Sequence, residues 1–333
     1  MSTLHKIGII GAGTITGNHV KGLKNLAERT KIVAICDINT EAAENLARDF
    51  NAVVYTDYNE MLDSEELDIC LVCLPHGLHI CVGLDILKKG VALFLEKPMA
   101  LDKNECRQLM DAAEKNGKTI FVGQTHQYRS VLRKAKELIQ NGAIGEPKAI
   151  FTEIIAYYNW ENRKPWFLDP KMAGHGVLFN TAPHQVDHLL FLIDSPIVKV
   201  RGHVSALRPG QTIASDSFAF VEYANGVQGV FSCLAGTRLE EPARLSCKIL
   251  GTKGSIQFNP FKNEIQLAKM DKVEIVECEP NDPFAAEWIE CLDTIEEGRP
   301  GRTDAVYGHN VVAVLEAIIK SSDVKQEVDL DLL

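Results

Sequence analysis

The chain has no apolar run approaching the ~18 residues that a membrane-spanning helix needs, so a bilayer span is not expected. It has no basic cluster. Lysine and arginine number 35 against 45 acids, a formal net charge of -10, and a chain so charged is a poor binder of nucleic acid. Tandem repeats, low-complexity stretches and long linkers are missing too, which excludes fibrous and disordered classes. The opening residues Met1 to Lys6 run straight into a strand pattern, without the basic, apolar and cleavage regions of a signal peptide. A cytoplasmic location is the resulting expectation. The nine cysteines are an odd number and fall mostly in apolar strand patterns (Cys36, Cys70, Cys73, Cys233, Cys247). In a reducing compartment they read as small buried hydrophobes. Cys70 and Cys73 form a CxxC pair, but on one strand their side chains would face opposite ways, which argues against a redox motif or a shared metal.

What is present is a chain of 333 residues, 46% apolar and 24% charged. That length exceeds one typical core and predicts two domains. Up to about residue 122, short apolar runs alternate with amphipathic stretches. Strands are expected at Lys6–Ile10, Ile32–Cys36, Ala52–Tyr55, Ile69–Leu74, Ala92–Leu95 and Thr119–Val122. Helices are expected at Ile15–Glu28, Thr40–Phe50, Tyr58–Leu62, Leu78–Lys89 and Lys103–Asn116. Asn39, Asp57 and Asp102 stand where N-caps belong, Gly90 and Gly117 where C-caps belong. Repeated strand–helix–strand units predict a parallel sheet with helices on both faces.

After Gly123 the pattern changes. A helix over Val131–Gln140, a long strand over Pro147–Tyr158 and a helix from about Asn180 to Leu192 precede a run of strands between Val198 and Ile275, with turn signals between them. Helices over Pro283–Glu296 and Asp304–Ser321 and a short apolar tail follow. The expected fold class is therefore α/β followed by α+β: a doubly wound parallel sheet over 1–123, then an α+β domain over 124–333 with an open, mainly antiparallel sheet. The open face of that sheet suggests a homodimer or homotetramer.

Gly11-Ala12-Gly13-Thr14-Ile15-Thr16-Gly17 follows the first strand and opens the first helix. Gly11 allows a tight turn, Gly13 lets the backbone approach a pyrophosphate, and the helix N-terminus offers N–H groups to the phosphates. The third glycine of the usual fingerprint is Thr16 here. The position at the start of a βαβ unit makes the motif a Rossmann dinucleotide site. Asp37 ends the second strand 20 residues after Gly17, where an acid takes the adenosine ribose hydroxyls. No arginine follows it, so NAD is expected over NADP. Lys97, directly after the fifth strand, should point toward the cofactor, because ligands bind beyond the carboxyl ends of such strands.

Glu96-Lys97-Pro98, Leu74-Pro75-His76-Gly77-Leu78-His79 and Ala173-Gly174-His175-Gly176-Val177-Leu178-Phe179-Asn180-Thr181-Ala182-Pro183-His184-Gln185-Val186-Asp187, with the glycine motif, resemble the Gfo/Idh/MocA family of glucose–fructose oxidoreductase, inositol dehydrogenase and their relatives. The resemblance covers essentially the whole chain. It implies hydride transfer at a carbinol of a sugar, sugar derivative or inositol-like polyol, with Lys97 and His184 as the catalytic pair. They would meet in a cleft beside the nicotinamide. It also implies cofactor contacts from Gly11, Gly13, Thr14, Ile15, Asp37, Leu74, Pro75, His79, Glu96 and Lys97. Three positions depart from the family pattern: Asn180 stands for the usual aspartate, Gln127 for an arginine, and Trp166-Phe167 for a Trp-Arg pair. An amide at 180 still makes hydrogen bonds but carries no charge.

The residues alone support part of this. On a helix beginning near Asn180, His184 lies one turn on, on the same face. An alkoxide needs a proton acceptor nearby, and a lysine serves if its pKa is lowered. His126, Tyr128, Tyr157, Trp160, Lys164 and Trp166 suit a sugar pocket, with His126 and Trp166 joining Lys97, Asn180 and His184 as expected substrate contacts. His184 and His188 have i, i+4 spacing that suits zinc, but no third ligand is evident and no metal is expected. A non-catalytic protein of the same fold that senses NAD or a sugar is the alternative reading, kept open by Asn180.

Overall fold

A computed structural model describes residues 4–157, 162–206, 213–236 and 243–333. It divides into two compact units: the segment through Thr125 together with Asp282–His309, and His126–Asn281 together with Asn310–Leu333.

The first unit is built on six parallel strands, β1 (His5–Ile10), β2 (Thr30–Cys36), β3 (Val53–Tyr55), β4 (Ile69–Val72), β5 (Ala92–Glu96) and β6 (Ile120–Gly123). Their order is β3-β2-β1-β4-β5-β6, the doubly wound Rossmann order. The connecting helices are α1 (Thr14–Lys24), α2 (Thr40–Ala47), α3 (Tyr58–Ser64), α4 (His79–Lys88) and α5 (Lys103–Asn116). The expected punctuation is in place. Asn39, Asp57 and Asp102 accept backbone N–H bonds as N-caps, and Gly117 closes α5 in the left-handed region at φ 59°. Strands covered on both faces must be apolar throughout, and all four residues of β4 are fully buried. All nine cysteines are free thiols, with Cys70 inside β4 and Cys73 just beyond it.

The linear division at residue 123 does not describe these units. Asp282–His309 belongs with the Rossmann sheet because α10 (Pro283–Glu297) inserts Trp288 against Phe94 of β5, ring centroids 4.3 Å apart. The segment also extends the sheet edge: Val122 donates to the Thr303 carbonyl and Phe121 bridges to Asp304.

The second unit carries α6 (Ser130–Gln140), β7 (Pro147–Tyr157), the short α7 (Pro170–Ala173) and α8 (Val177–Asn180), then α9 (Pro183–Leu192). Strands β8 (Ile197–Ser205), β9 (Asp216–Tyr223), β10 (Gln228–Gly236), β11 (Arg244–Gly251), β12 (Gly254–Phe258), β13 (Glu264–Lys269) and β14 (Lys272–Glu277) follow. Helix α11 (Ala305–Val324) and β15 (Val328–Asp329) end the chain. The nine strands order as β14-β13-β12-β11-β7-β10-β9-β8-β15. Every pairing is antiparallel except β7 with β10. The apolar tail expected after the last helix supplies β15, which hydrogen-bonds along β8. Phe151, Val230 and Phe220 lie side by side across β7, β10 and β9, each about two-fifths exposed.

The helix expected from Asn180 to Leu192 is two helices. Asn180 ends α8, and α9 starts afresh at Pro183. Proline has no N–H to continue a helix from before it and is suited to the first helical turn. Gly176 opens α8 at φ 59°, and a Cβ there would stand 1.9 Å from Ile213 Cγ2, so only glycine fits beneath that neighbour.

Candidate active site

In the first unit the glycine loop has the geometry expected of a phosphate cradle. Gly11 sits at φ 99°, and a Cβ would stand 2.3 Å from the Cys73 carbonyl oxygen, so the loop closes onto the end of β4 only without a side chain. Gly13 is the N-cap of α1, has open space where a Cβ would project, and leads into a first turn without acidic residues. Thr14 and Ile15 form that turn. Its N–H groups and the helix dipole suit a pyrophosphate. Thr16, in place of the third glycine, is buried and donates its hydroxyl to the Gly11 carbonyl at 2.6 Å. The substitution thus ties the loop down by a hydrogen bond.

Asp37 stands just beyond β2. Its Oδ2 accepts from the Ala12 N–H at 2.6 Å and its Oδ1 from the Asn39 N–H at 2.7 Å. The carboxylate is thereby fixed beside the glycine loop, half-buried, with lone pairs left for a ribose diol. Ile38 beside it is 93% exposed and offers nothing to a 2′-phosphate. Leu74 and Pro75 leave β4 on the same side of the sheet, half-buried. The cradle, the acid and these residues fit NAD.

His79 has both ring nitrogens turned onto the chain. Its ring is fully buried, with Nδ1 2.9 Å from the Pro98 carbonyl and Nε2 3.0 Å from the Leu74 carbonyl. It joins two loops and presents no polar atom outward. Glu96 is likewise inward: Oε1 accepts from His19 Nε2 at 2.8 Å and Oε2 from the Lys97 N–H at 3.1 Å. Burial alone would raise the Glu96 carboxyl, but the His19 bond and the charge of Lys97 outweigh it and hold it below its usual value. Lys97 follows β5 directly and is half-buried. Burial pushes its ammonium below the ordinary lysine value, partly offset by the Glu96 carboxylate.

The second unit assembles an imidazole cluster. Along α9, His184, Asp187 and His188 share one face through their i, i+3 and i, i+4 spacing. His126 stacks on His184, centroids 3.9 Å apart at 10°, and its Nδ1 lies 3.1 Å from His188 Nε2. Gln127 Nε2 donates to the buried Asp187 Oδ1 at 2.8 Å, so this amide meets a carboxylate. Arg129 lies over the Phe261 ring at 4.2 Å. Burial, reinforced by the Arg129 charge, lowers His188 to about 3, so it is neutral. His188 Nε2 is engaged with His126, and among the described residues no group of three or more His, Cys, Asp or Glu side chains forms a metal site.

His184 and Asn180 are both half-buried, but on separate helices, so their placement does not come from one helical face. Trp166 stacks on Phe167 at 3.7 Å, with the Arg163 guanidinium 4.9 Å from the Phe167 ring centre. Lys164 is exposed. Tyr128 is fully buried and belongs to the core. Tyr157 ends β7; its side chain and Trp160 lie outside the described residues. Sequence reasoning missed the His126–His188 bond and the roles of Asp187, His19 and Trp288. Spacing along α9 marks Asp187 and His188, whereas nothing local marks Trp288, which lies 269 positions from His19.

Among the described residues no helix is long and apolar enough to cross a membrane. Inositol 2-dehydrogenase 3 of Saccharopolyspora erythraea is 25% identical over 330 residues, covering 95% of this chain and 92% of that one. Inositol 2-dehydrogenase of Pseudomonas fluorescens is 24% identical, covering 98% and 97%. Levoglucosan dehydrogenase, solved with NADH and levoglucosan, superposes with a TM-score of 0.92 at 20% identity, covering 99% of this chain and 100% of that one. The profile described as oxidoreductase family, NAD-binding Rossmann fold, matches residues 5–124, and that of the GFO/IDH/MocA C-terminal domain matches 132–257. With both halves matched, the chain belongs to the GFO/IDH/MocA family of NAD-binding oxidoreductases.

Proposed function

We propose that the protein is an NAD-dependent dehydrogenase that oxidises a carbinol of a sugar, sugar derivative or inositol-like polyol. The observation that carries the reading is Lys97: a half-buried amine with a depressed pKa, placed just beyond a central strand on the side of the sheet where the glycine loop and Asp37 stand. The relatives called inositol 2-dehydrogenase and the fold neighbour solved with NADH and levoglucosan support the substrate class.

Bound NAD supplies the acceptor for the carbinol hydrogen. The chain has to hold the alcohol, take the hydroxyl proton and keep water out. A neutral Lys97 amine accepts that proton. His184, stacked on His126, is the second proton-handling group, and Asn180 orients the hydroxyl as a hydrogen-bond partner without charge. His126 and Trp166 complete the polyol contacts. Asp37 selects NAD over NADP by about tenfold or more, since a carboxylate repels a 2′-phosphate. A second copy of the chain covers the Phe151, Val230 and Phe220 face of the open sheet, giving a homodimer or homotetramer that light scattering would detect.

The test is a screen of polyols and sugars for NADH formation, with Lys97→Ala and His184→Ala alongside. Each substitution should lower turnover by about 10²- to 10⁴-fold, the usual loss for a proton-handling group, with NAD affinity little changed. Full NAD binding with no turnover of any polyol or sugar, and no effect of Lys97→Ala, would sink the enzymatic reading in favour of a sensor.

A further inference from the structure

The Glu96-Lys97-Pro98 segment is gripped from two sides by buried histidines. From α1, His19 is fully enclosed, with Phe94 and Phe284 edge-on at 5.3 and 5.0 Å. Trp288 Nε1 donates to His19 Nδ1 at 3.2 Å. An indole only donates, so Nδ1 is the acceptor and the ring proton sits on Nε2, aimed at Glu96 Oε1. The other carboxylate oxygen accepts the Lys97 backbone N–H. Gly123 gives this carboxylate its place, since a Cβ there would stand 3.1 Å from Oε1. From the start of α4, His79 reaches the Pro98 carbonyl and the Leu74 carbonyl. Both neighbours of Lys97 in the chain are therefore held, one by its side chain and one by its carbonyl.

We propose that His19 and His79 form a clamp that positions Lys97, with His19 acting through Glu96 to fix the electrostatic surroundings of the amine. The inference rests on the reading of Lys97 as the proton acceptor. A buried carboxylate with a buried histidine gives little net stability, because desolvation offsets the attraction, and apolar side chains of similar volume often do as well. The arrangement instead keeps an anion beside an amine that burial would otherwise strip of its proton, as the opposed effects of burial and Glu96 on Lys97 show. The other titratable groups facing this cluster are Cys73, His79 and Glu287. Burial pushes the Cys73 thiol well up, so it stays uncharged. Burial also lowers His79, opposed by the Pro98 and Leu74 carbonyls; the neutral ring has one N–H and donates to one of the two at a time. Glu287 is buried on α10 and accepts from the Thr125 hydroxyl at 3.0 Å.

The test follows the Lys97 ammonium by NMR in ¹⁵N-lysine protein without added cofactor, its signal assigned by its loss in Lys97→Arg. Glu96→Gln should lower the Lys97 pKa by about 1 unit or more, the usual effect of removing an adjacent opposite charge. His19→Leu, which leaves the buried Glu96 carboxylate without its donor and so favours its neutral form, should move the Lys97 pKa in the same direction. The acid limb of the kcat/KM profile should move to lower pH with it. His19→Gln restores a donor and an acceptor and should return both readouts toward wild type. Likewise His79→Gln should keep turnover that His79→Leu loses. If His19→Leu does not fold, Trp288→Phe tests the same link by freeing His19 Nδ1. An unchanged Lys97 titration in Glu96→Gln and His19→Leu would overturn the clamp. Unchanged turnover in Lys97→Ala would overturn the catalytic reading of Lys97, and the NMR titration, which needs no turnover, separates the two failures.

Discussion

His188→Gln tests whether the buried His188 ring of the second unit is held neutral by its surroundings. His188 is 2% exposed, its Nε2 is bonded to His126, and Arg129 adds a repelling charge. Burial and that charge lower its pKa from 6.5 to about 3. The unfolded chain therefore binds a proton below about pH 6.5 that the folded chain refuses until about pH 3. Stability from the neutral ring is fully present above the unfolded value and is lost as pH falls between the two. Integrating the linkage relation between pH 7 and pH 5 gives a loss of about 2 kcal/mol from this group. Glutamine keeps a donor and an acceptor for His126 but does not titrate. Urea midpoints of both proteins at pH 7 and pH 5 give the double difference, in which contributions from other groups cancel. The wild type should lose more stability on acidification than the variant, by that amount. Equal pH slopes would refute the account of a buried, proton-refusing His188.

Further outcomes follow from the same geometry. Asp37→Ser should narrow the preference for NAD over NADP measured by titration calorimetry, and equal affinities in the wild type would remove the basis for the assignment. Gly11→Ala should destabilise the first unit by about 1–3 kcal/mol, the usual scale of local backbone strain, and weaken NAD binding, since its Cβ would meet the Cys73 carbonyl at 2.3 Å; an unchanged melting temperature would contradict the close approach. Asn180→Asp should change substrate preference or the pH optimum while circular dichroism stays unchanged. Identical pH profiles would mean that the residue at 180 takes no part in proton handling.

The first five strands and helices were legible because their signals are local. An apolar run bounded by a glycine turn or an N-cap specifies a strand or a helix start within a few residues. The positions of the glycine motif, Asp37 and Lys97 were legible for a related reason: each sits at a strand end, and in a parallel sheet all such ends lie on one side. Where local signals compete, the reading failed. The periodicity from Asn180 to Leu192 suggested one helix, yet Pro183 divides it, and the short α8 is held by Gly176 packing under Ile213. Nor did any local signal show that burial turns both nitrogens of His79 onto backbone carbonyls.

The sequence by itself determined the Rossmann topology, the place of the glycine loop and that of Asp37 at the end of the second strand, since strand alternation and turn chemistry act over a few residues. Only the tertiary structure decided that Asp282–His309 returns to the first sheet, that β7 and β10 pair in parallel, that Trp288 sets the tautomer of His19, and that His126 bonds His188. Each of these joins residues tens to hundreds of positions apart. Such contacts depend on which apolar surfaces bury one another and which buried polar groups find partners, and those choices are made by the packed core.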